Sequence, residues 1–127
     1  MPPPIRVVLV EDNDVFREAL ELLLGLREDV EVVASVPDGT EAADVCAQLR
    51  PDVCLMDYRL PGLDGVQATA EVMRAAPGTA VICLTASADL RERGALMEAG
   101  AVACLSKDEG LEAIVTALHR ATGRIPA

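Results

Sequence analysis

Apolar residues gather in five short runs along this chain, and between the runs they recur at helical spacing. Continuous apolar runs of about four to eight residues read as strands buried on both faces, whereas recurrence at i, i+3 and i+4 reads as a helix with one face inward. The runs predict strands at 5–10, 30–36, 52–57, 79–84 and 101–106. Between the first two, Val15, Phe16, Ala19, Leu20, Leu23 and Leu26 share a helical stripe while Arg17, Glu18 and Glu21 fall on other sides, with Asn13 or Asp14 as N-cap. A second helix over 38–49 opens at Asp38 and closes against Pro51, whose ring disfavours helical geometry at Arg50. Residues 65–75 form a third, stopped by Pro77-Gly78. Asp89 and Glu92 resemble a capping box that opens a fourth helix ending near Gly100, and 108–121 makes the fifth.

Alternation of strand and helix is the sign of β-α units and a mainly parallel sheet, so the fold class is α/β. Right-handed winding of five such units puts helices on both faces of the sheet, and ligands of such folds bind beyond the carboxyl ends of the strands. The polar residues at those ends therefore carry the functional argument. They are Glu11 and Asp12 after the first strand, Asp57 at the third, Thr85 after the fourth and Lys107 after the fifth.

Composition narrows the possibilities. A chain of 127 residues with 51% hydrophobic content suits one domain with a full core. One Phe, one Tyr and no Trp make that core aliphatic and remove the stacking platforms used for single-stranded nucleic acid. The net charge of −10 repels phosphate backbones, so this segment is not expected to bind DNA itself. No run approaches the roughly 20 apolar residues that span a bilayer, and no signal-peptide pattern opens the chain, so a cytoplasmic location is expected. Cys46, Cys54, Cys83 and Cys104 lack metal-type spacing and read as reduced, buried thiols.

Three carboxylates converging in one crevice repel one another unless a cation lies among them, and Mg²⁺ suits hard oxygen ligands that leave positions for water and phosphoryl oxygens. With the metal on one phosphoryl oxygen, Lys107 on another and Thr85 on a third, Asp57 is placed to attack phosphorus as a nucleophile. An acyl phosphate at Asp57 would bring new charge and acceptor oxygens, drawing Thr85 and Lys107 toward it and shifting the segments that follow them. Arg59 and Ser87 fall at the mouth of such a site, and a solvated loop accounts for them equally. His119, near Arg120 and Arg124, reads as a solvated helix end.

Glu11-Asp12, Asp57, Pro61-Gly62, Thr85-Ala86 and Lys107 together resemble the signature of the response-regulator receiver domain of two-component signalling, over residues 5–121. The resemblance implies a flavodoxin-like (βα)5 three-layer sandwich with a five-stranded parallel sheet of order 2-1-3-4-5. It implies that Asp57 is the phospho-acceptor, Asp12 a direct Mg²⁺ ligand, Glu11 a ligand through metal-bound water and the Arg59 backbone carbonyl a further ligand. It implies a sensor histidine kinase as donor and a phosphorylation-dependent homodimer as product. Met56 to Gly65 and Leu105 to Asp108 are similar to the branch that carries a LuxR-type helix-turn-helix, so 1–121 is expected to be the receiver and 122–127 the start of a linker. DNA would then be bound only through a C-terminal domain absent from this sequence. The chemistry is that of a switch that phosphorylates and dephosphorylates itself, not of a turnover enzyme.

Two positions depart from the family pattern. Cys104 stands where an aromatic residue commonly swings inward on activation, and Asp108 follows the lysine where many members have a cis proline. A non-proline cis bond costs ~2.5 to 4 kcal/mol, so a trans bond is expected. Two alternatives remain: an atypical or stand-alone receiver acting by protein–protein interaction, and a haloacid-dehalogenase-like phosphatase built on Asp12-Asn13-Asp14. The second leaves Asp57 unexplained, has Phe16 where Thr or Val is expected, and lacks length for a cap domain. A nucleotide or flavin module is weaker, because the first β-α turn presents acids instead of a glycine-rich fingerprint.

Overall fold

Each apolar run forms a strand in the computed structural model, which describes residues 3–60, 63–86 and 89–123. In chain order the elements are β1 (Ile5–Val10), α1 (Asp14–Gly25), β2 (Val30–Val36), α2 (Gly39–Leu49), β3 (Val53–Asp57), α3 (Gly65–Ala75), β4 (Ala80–Thr85), α4 (Leu90–Ala99), β5 (Ala103–Ser106) and α5 (Leu111–Ala121). All strand pairings are parallel, in the order β2-β1-β3-β4-β5, as expected of the flavodoxin-like arrangement. Among the described residues no helix is long and apolar enough to cross a membrane.

The strands are apolar at successive positions because both faces of the sheet are covered. On β3, Val53 and Leu55 pack with Leu20, Leu24, Ile114 and Leu118 of α1 and α5, while Cys54 and Met56 pack with Ala42, Cys46, Ala68 and Val72 of α2 and α3. The period of two along a strand thus divides one run between two cores. Asparagine and aspartate caps set the helix starts: Asn13 accepts from Phe16 N, Asp38 from Thr40 N, Asp64 from Gln67 N and Asp89 from Arg91 N. Arg50, forced out of right-handed helical geometry by Pro51, ends α2 at φ 47°.

Three expectations need correction. Of the stripe predicted for α1, Phe16 and Leu20 turn inward, whereas Val15 and Leu26 are 79% and 75% exposed, because the buried face runs through 16, 20 and 24 at steps of four. The fifth helix does not begin at 108: Lys107–Glu109 form a single 3-10 turn, closed by Gly110 at φ 86°, and α5 starts at Leu111. Ser106 and Glu109 form the reciprocal capping box there, with Ser106 N donating to Glu109 Oε2 at 2.6 Å. His119 is not a solvated helix end. It is 4% exposed, and its Nε2–H donates to Asp29 Oδ2 at 2.7 Å, because α5 lays its carboxyl end against the turn between α1 and β2. An ionised carboxylate only accepts, which fixes the proton on Nε2.

Arg27 completes this cluster, with Nε and Nη2 donating to the two oxygens of Asp29 at 2.9 and 3.1 Å. The Arg27 hydrogen bonds, joined by that of His119, hold the Asp29 carboxyl down at about 2 despite its partial burial. Asp29→Ala is expected to destabilise the fold by about 1–2 kcal/mol at neutral pH, since it strands a buried imidazole and a guanidinium. A depressed acid contributes stability that is complete above the unfolded value near ~3.9 and lost as pH falls through about 2. Urea denaturation of the two proteins at pH 7, 4 and 2 should show the difference shrinking only below pH 4.

Candidate functional site

Strand register brings the acids together. Leu9 pairs with Leu55 across β1 and β3, so two residues further on Glu11 faces Asp57 from the neighbouring strand, on the same side of the sheet. Ligand oxygens of Glu11, Asp12 and Asp57 all lie within 4.8 Å of one another. Glu11 and Asp57 are 4% and 5% exposed, whereas Asp12 is open to solvent. Thr85, 2% exposed, ends β4 one residue beyond Leu84, the pairing partner of Asp57.

Lys107 reaches back from the end of β5 and sets its ammonium between the two buried acids, 2.5 Å from Glu11 Oε1 and 3.4 Å from Asp57 Oδ1. The same Nζ lies 4.6 Å from the centre of the Phe16 ring. Burial works against the ammonium, but its hydrogen bond to Glu11 and the charges of Asp57 and Glu11 prevail and hold its pKa above the ordinary lysine value. Asp57 moves the other way. Burial, then hydrogen bonding and repulsion from Glu11, lift its carboxyl to about 7 against the pull of Lys107.

One lysine therefore does not neutralise the crevice. Its ammonium meets the two buried carboxylates, Glu11 and Asp57, while the third, Asp12, adds a further negative charge from the solvent side. Such a donor set fits a small hard divalent cation, which takes carboxylate oxygens and keeps water in its other positions. The other Glu11 oxygen, Oε2, accepts from Asn13 N at 3.1 Å, and Arg17 Nη1 donates to the Glu11 carbonyl at 2.8 Å, so the β1–α1 turn is braced around the acid.

The loop after Asp57 is held as firmly. Tyr58 N donates to Leu84 O at 3.0 Å, and Gly65 N donates to Tyr58 O at 2.7 Å, tying the start of α3 to the strand end. Arg59 follows on this loop with an exposed side chain. Pro61, Gly62 and Ser87 lie outside the described residues.

Comparison with known proteins agrees with this geometry. The chain matches the response regulator receiver domain over residues 7–119. It belongs to that family. Among curated relatives, the transcriptional regulatory protein LnrK of Bacillus subtilis is 36% identical over 114 residues, covering 90% of this chain and 52% of the relative. The receiver thus spans about half the length of the curated transcriptional regulators it matches. Among solved structures, the signal receiver domain of a Mycobacterium tuberculosis protein described as the response regulator NarL is 36% identical, with a TM-score of 0.89, covering 97% of this chain and 100% of that one. The receiver domain of the sensor histidine kinase PA1611 of Pseudomonas aeruginosa, with magnesium coordinated in its active-site cleft, is 34% identical with a TM-score of 0.78 over 94% of this chain and 98% of that one.

Within this receiver the two departures have a clear structural setting. No peptide bond among the described residues is cis, so the bond after Lys107 is trans. Cys104 is half-buried on β5 against the α2–α3–α4 core, and Arg93 Nη1 from α4 donates to its carbonyl at 3.2 Å. Arg93 thus ties α4 to the β5 backbone beside the apolar core that Leu96 and Cys104 share. All four cysteines are free, and three are fully buried. Burial pushes the Cys83 thiol to about 12, which marks it as an inert core residue. Sequence reading missed Phe16 and Arg17 as parts of the site, because both also satisfy the ordinary pattern of an amphipathic helix.

Proposed function

We propose that this receiver takes a phosphoryl group from a sensor histidine kinase onto Asp57 with Mg²⁺ bound by Glu11, Asp12 and Asp57 and the Arg59 carbonyl, and thereby governs a transcriptional output domain. The observation that carries the proposal is the facing pair Glu11 and Asp57, both buried, with the Lys107 ammonium against each. An Asp57 oxygen attacks phosphorus; the new O–P bond forms as the P–N bond to the donor imidazole breaks, and the leaving nitrogen takes its proton from solvent. Lys107 supplies charge to one phosphoryl oxygen and Thr85 a hydroxyl to another. Bound magnesium supplies further positive charge to the phosphoryl oxygens and offsets the repulsion between the acids.

Residues 1–121 constitute the receiver in this proposal and 122–127 begin the linker to a helix-turn-helix domain, in keeping with the length of the relatives. A cytoplasmic setting and a phosphorylation-dependent homodimer complete it. Incubation with acetyl phosphate and Mg²⁺ is expected to add one phosphoryl group, mapped by mass spectrometry to Asp57 and absent when magnesium is chelated. A native chain left unmodified by both acetyl phosphate and a phospho-histidine donor would mean a receiver that acts by binding alone.

A further inference from the structure

Lys107 carries a flexible four-carbon stem, yet its ammonium sits at one point in the crevice with three neighbours: Glu11, Asp57 and the face of Phe16. The two carboxylates explain its attraction to the site. They do not explain why an aromatic ring stands on its remaining side. Phe16 is the sole phenylalanine of the chain, and the buried members of the core it packs against are all aliphatic. It is half-buried against the core formed by α1 and α5, where a leucine would serve packing as well.

The backbone that carries the ring is also held in place. Phe16 N donates to Asn13 Oδ1 at 2.9 Å at the helix cap. Its neighbour Arg17 spans the turn, donating to the Glu11 carbonyl at 2.8 Å and to Asp14 Oδ1 at 2.7 Å. The first turn of α1 is therefore fixed to the strand end that bears Glu11. An aromatic face attracts an ammonium through its quadrupole while displacing water, and it uses none of the directed acceptors that the N–H groups need.

We propose that Phe16 is a positioning residue for Lys107: its ring holds the ammonium at the Asp57 side of the crevice and serves as the surface on which it turns from Glu11 to a phosphoryl oxygen. The inference rests on the phospho-acceptor reading of Asp57. Phe16 carries no reacting group and acts through the lysine.

The test compares initial rates of labelling by limiting acetyl phosphate with Mg²⁺ for the native chain, Phe16→Leu and Phe16→Tyr, with Phe16→Met as a second apolar variant should Phe16→Leu fold poorly. The proton shifts of the Lys107 ε-methylene are measured in each, since a ring face moves them upfield. Phe16→Leu is expected to label roughly two- to fivefold more slowly and to lose the upfield shift, and Phe16→Tyr to restore both. Native labelling rates in Phe16→Leu, slowing without loss of the upfield shift, or failure of Phe16→Tyr to restore either readout would each overturn the proposal. A native chain that takes no phosphoryl group would instead remove the phospho-acceptor reading, and this inference with it.

Discussion

Asp57→Asn is expected to abolish labelling by acetyl phosphate and, without magnesium, to give a folded protein more stable than the native chain. The loss of labelling follows from chemistry, since an amide offers no anionic oxygen to attack phosphorus. The gain in stability follows from position. In the native fold, burial, then hydrogen bonding and repulsion from Glu11, raise the Asp57 carboxyl to about 7, whereas an unfolded aspartate titrates near ~3.9. Between those values the folded chain holds a proton that the unfolded chain has released, so stability falls as pH rises from about 4 to about 7. Above pH 7 the full cost stands, on the order of a few kcal/mol, and the neutral amide does not incur it.

Denaturant midpoints for the two proteins should therefore coincide near pH 4 and separate by pH 8, with Asp57→Asn the higher. Added magnesium should narrow the gap at pH 8 by stabilising the native chain more. If Asp57→Asn proves the less stable protein at pH 8 without magnesium, Lys107 already neutralises the pair and the crevice needs no second cation. Labelling and stability thus read two consequences of one buried charge.

The fold was legible because the two periods in this chain do not overlap. Unbroken apolar runs such as Val53 to Met56 suit only a strand covered on both sides, and Pro51 and Pro77-Gly78 separate helix from strand without ambiguity. Glu11, Asp57, Thr85 and Lys107 were legible as a group for a related reason: a polar residue that ends a buried strand in a doubly wound sheet falls at one edge, whatever the strand order. What escaped was contact between elements distant in sequence. His119 meets Asp29 only because α5 docks on the α1–β2 turn, and at the carboxyl end of a helix, next to Arg120, it has the pattern of an exposed residue. Phe16 escaped differently, since its inward position is that of any core residue and only the reach of Lys107 from β5 gives it a second role. The helix boundary at 108 failed because Asp108 and Glu109 suit a first helical turn by composition, while Gly110 at φ 86° separates them from α5.

Gly65→Ala is expected to be the most damaging small substitution near the site, although alanine is the better helix former. Gly65 opens α3, and a Cβ built on it would lie 2.7 Å from Tyr58 Cα, 2.8 Å from Asp57 O and 3.0 Å from Tyr58 O. All three are backbone atoms of Asp57 and Tyr58, where the strand passes into the loop. None can rotate away as a side chain would, so either α3 lifts or the loop shifts, breaking the 2.7 Å hydrogen bond from Gly65 N to Tyr58 O. Overpacking of this kind costs about 1–3 kcal/mol. A displaced loop also misplaces the Asp57 carboxylate and the Arg59 carbonyl, so labelling should slow by roughly tenfold or more. Gly94→Ala is the matching control, because it lies inside α4 with nothing within 4 Å of its added methyl. It should stabilise by about 0.5–1 kcal/mol through helix propensity and leave labelling unchanged. Opposite signs for the two glycines, measured by denaturation and by labelling on the same preparations, would assign the sensitivity of Gly65 to the approach of α3 to the loop; equal signs would assign it to glycine's general effect on a helix and refute the close-packing account.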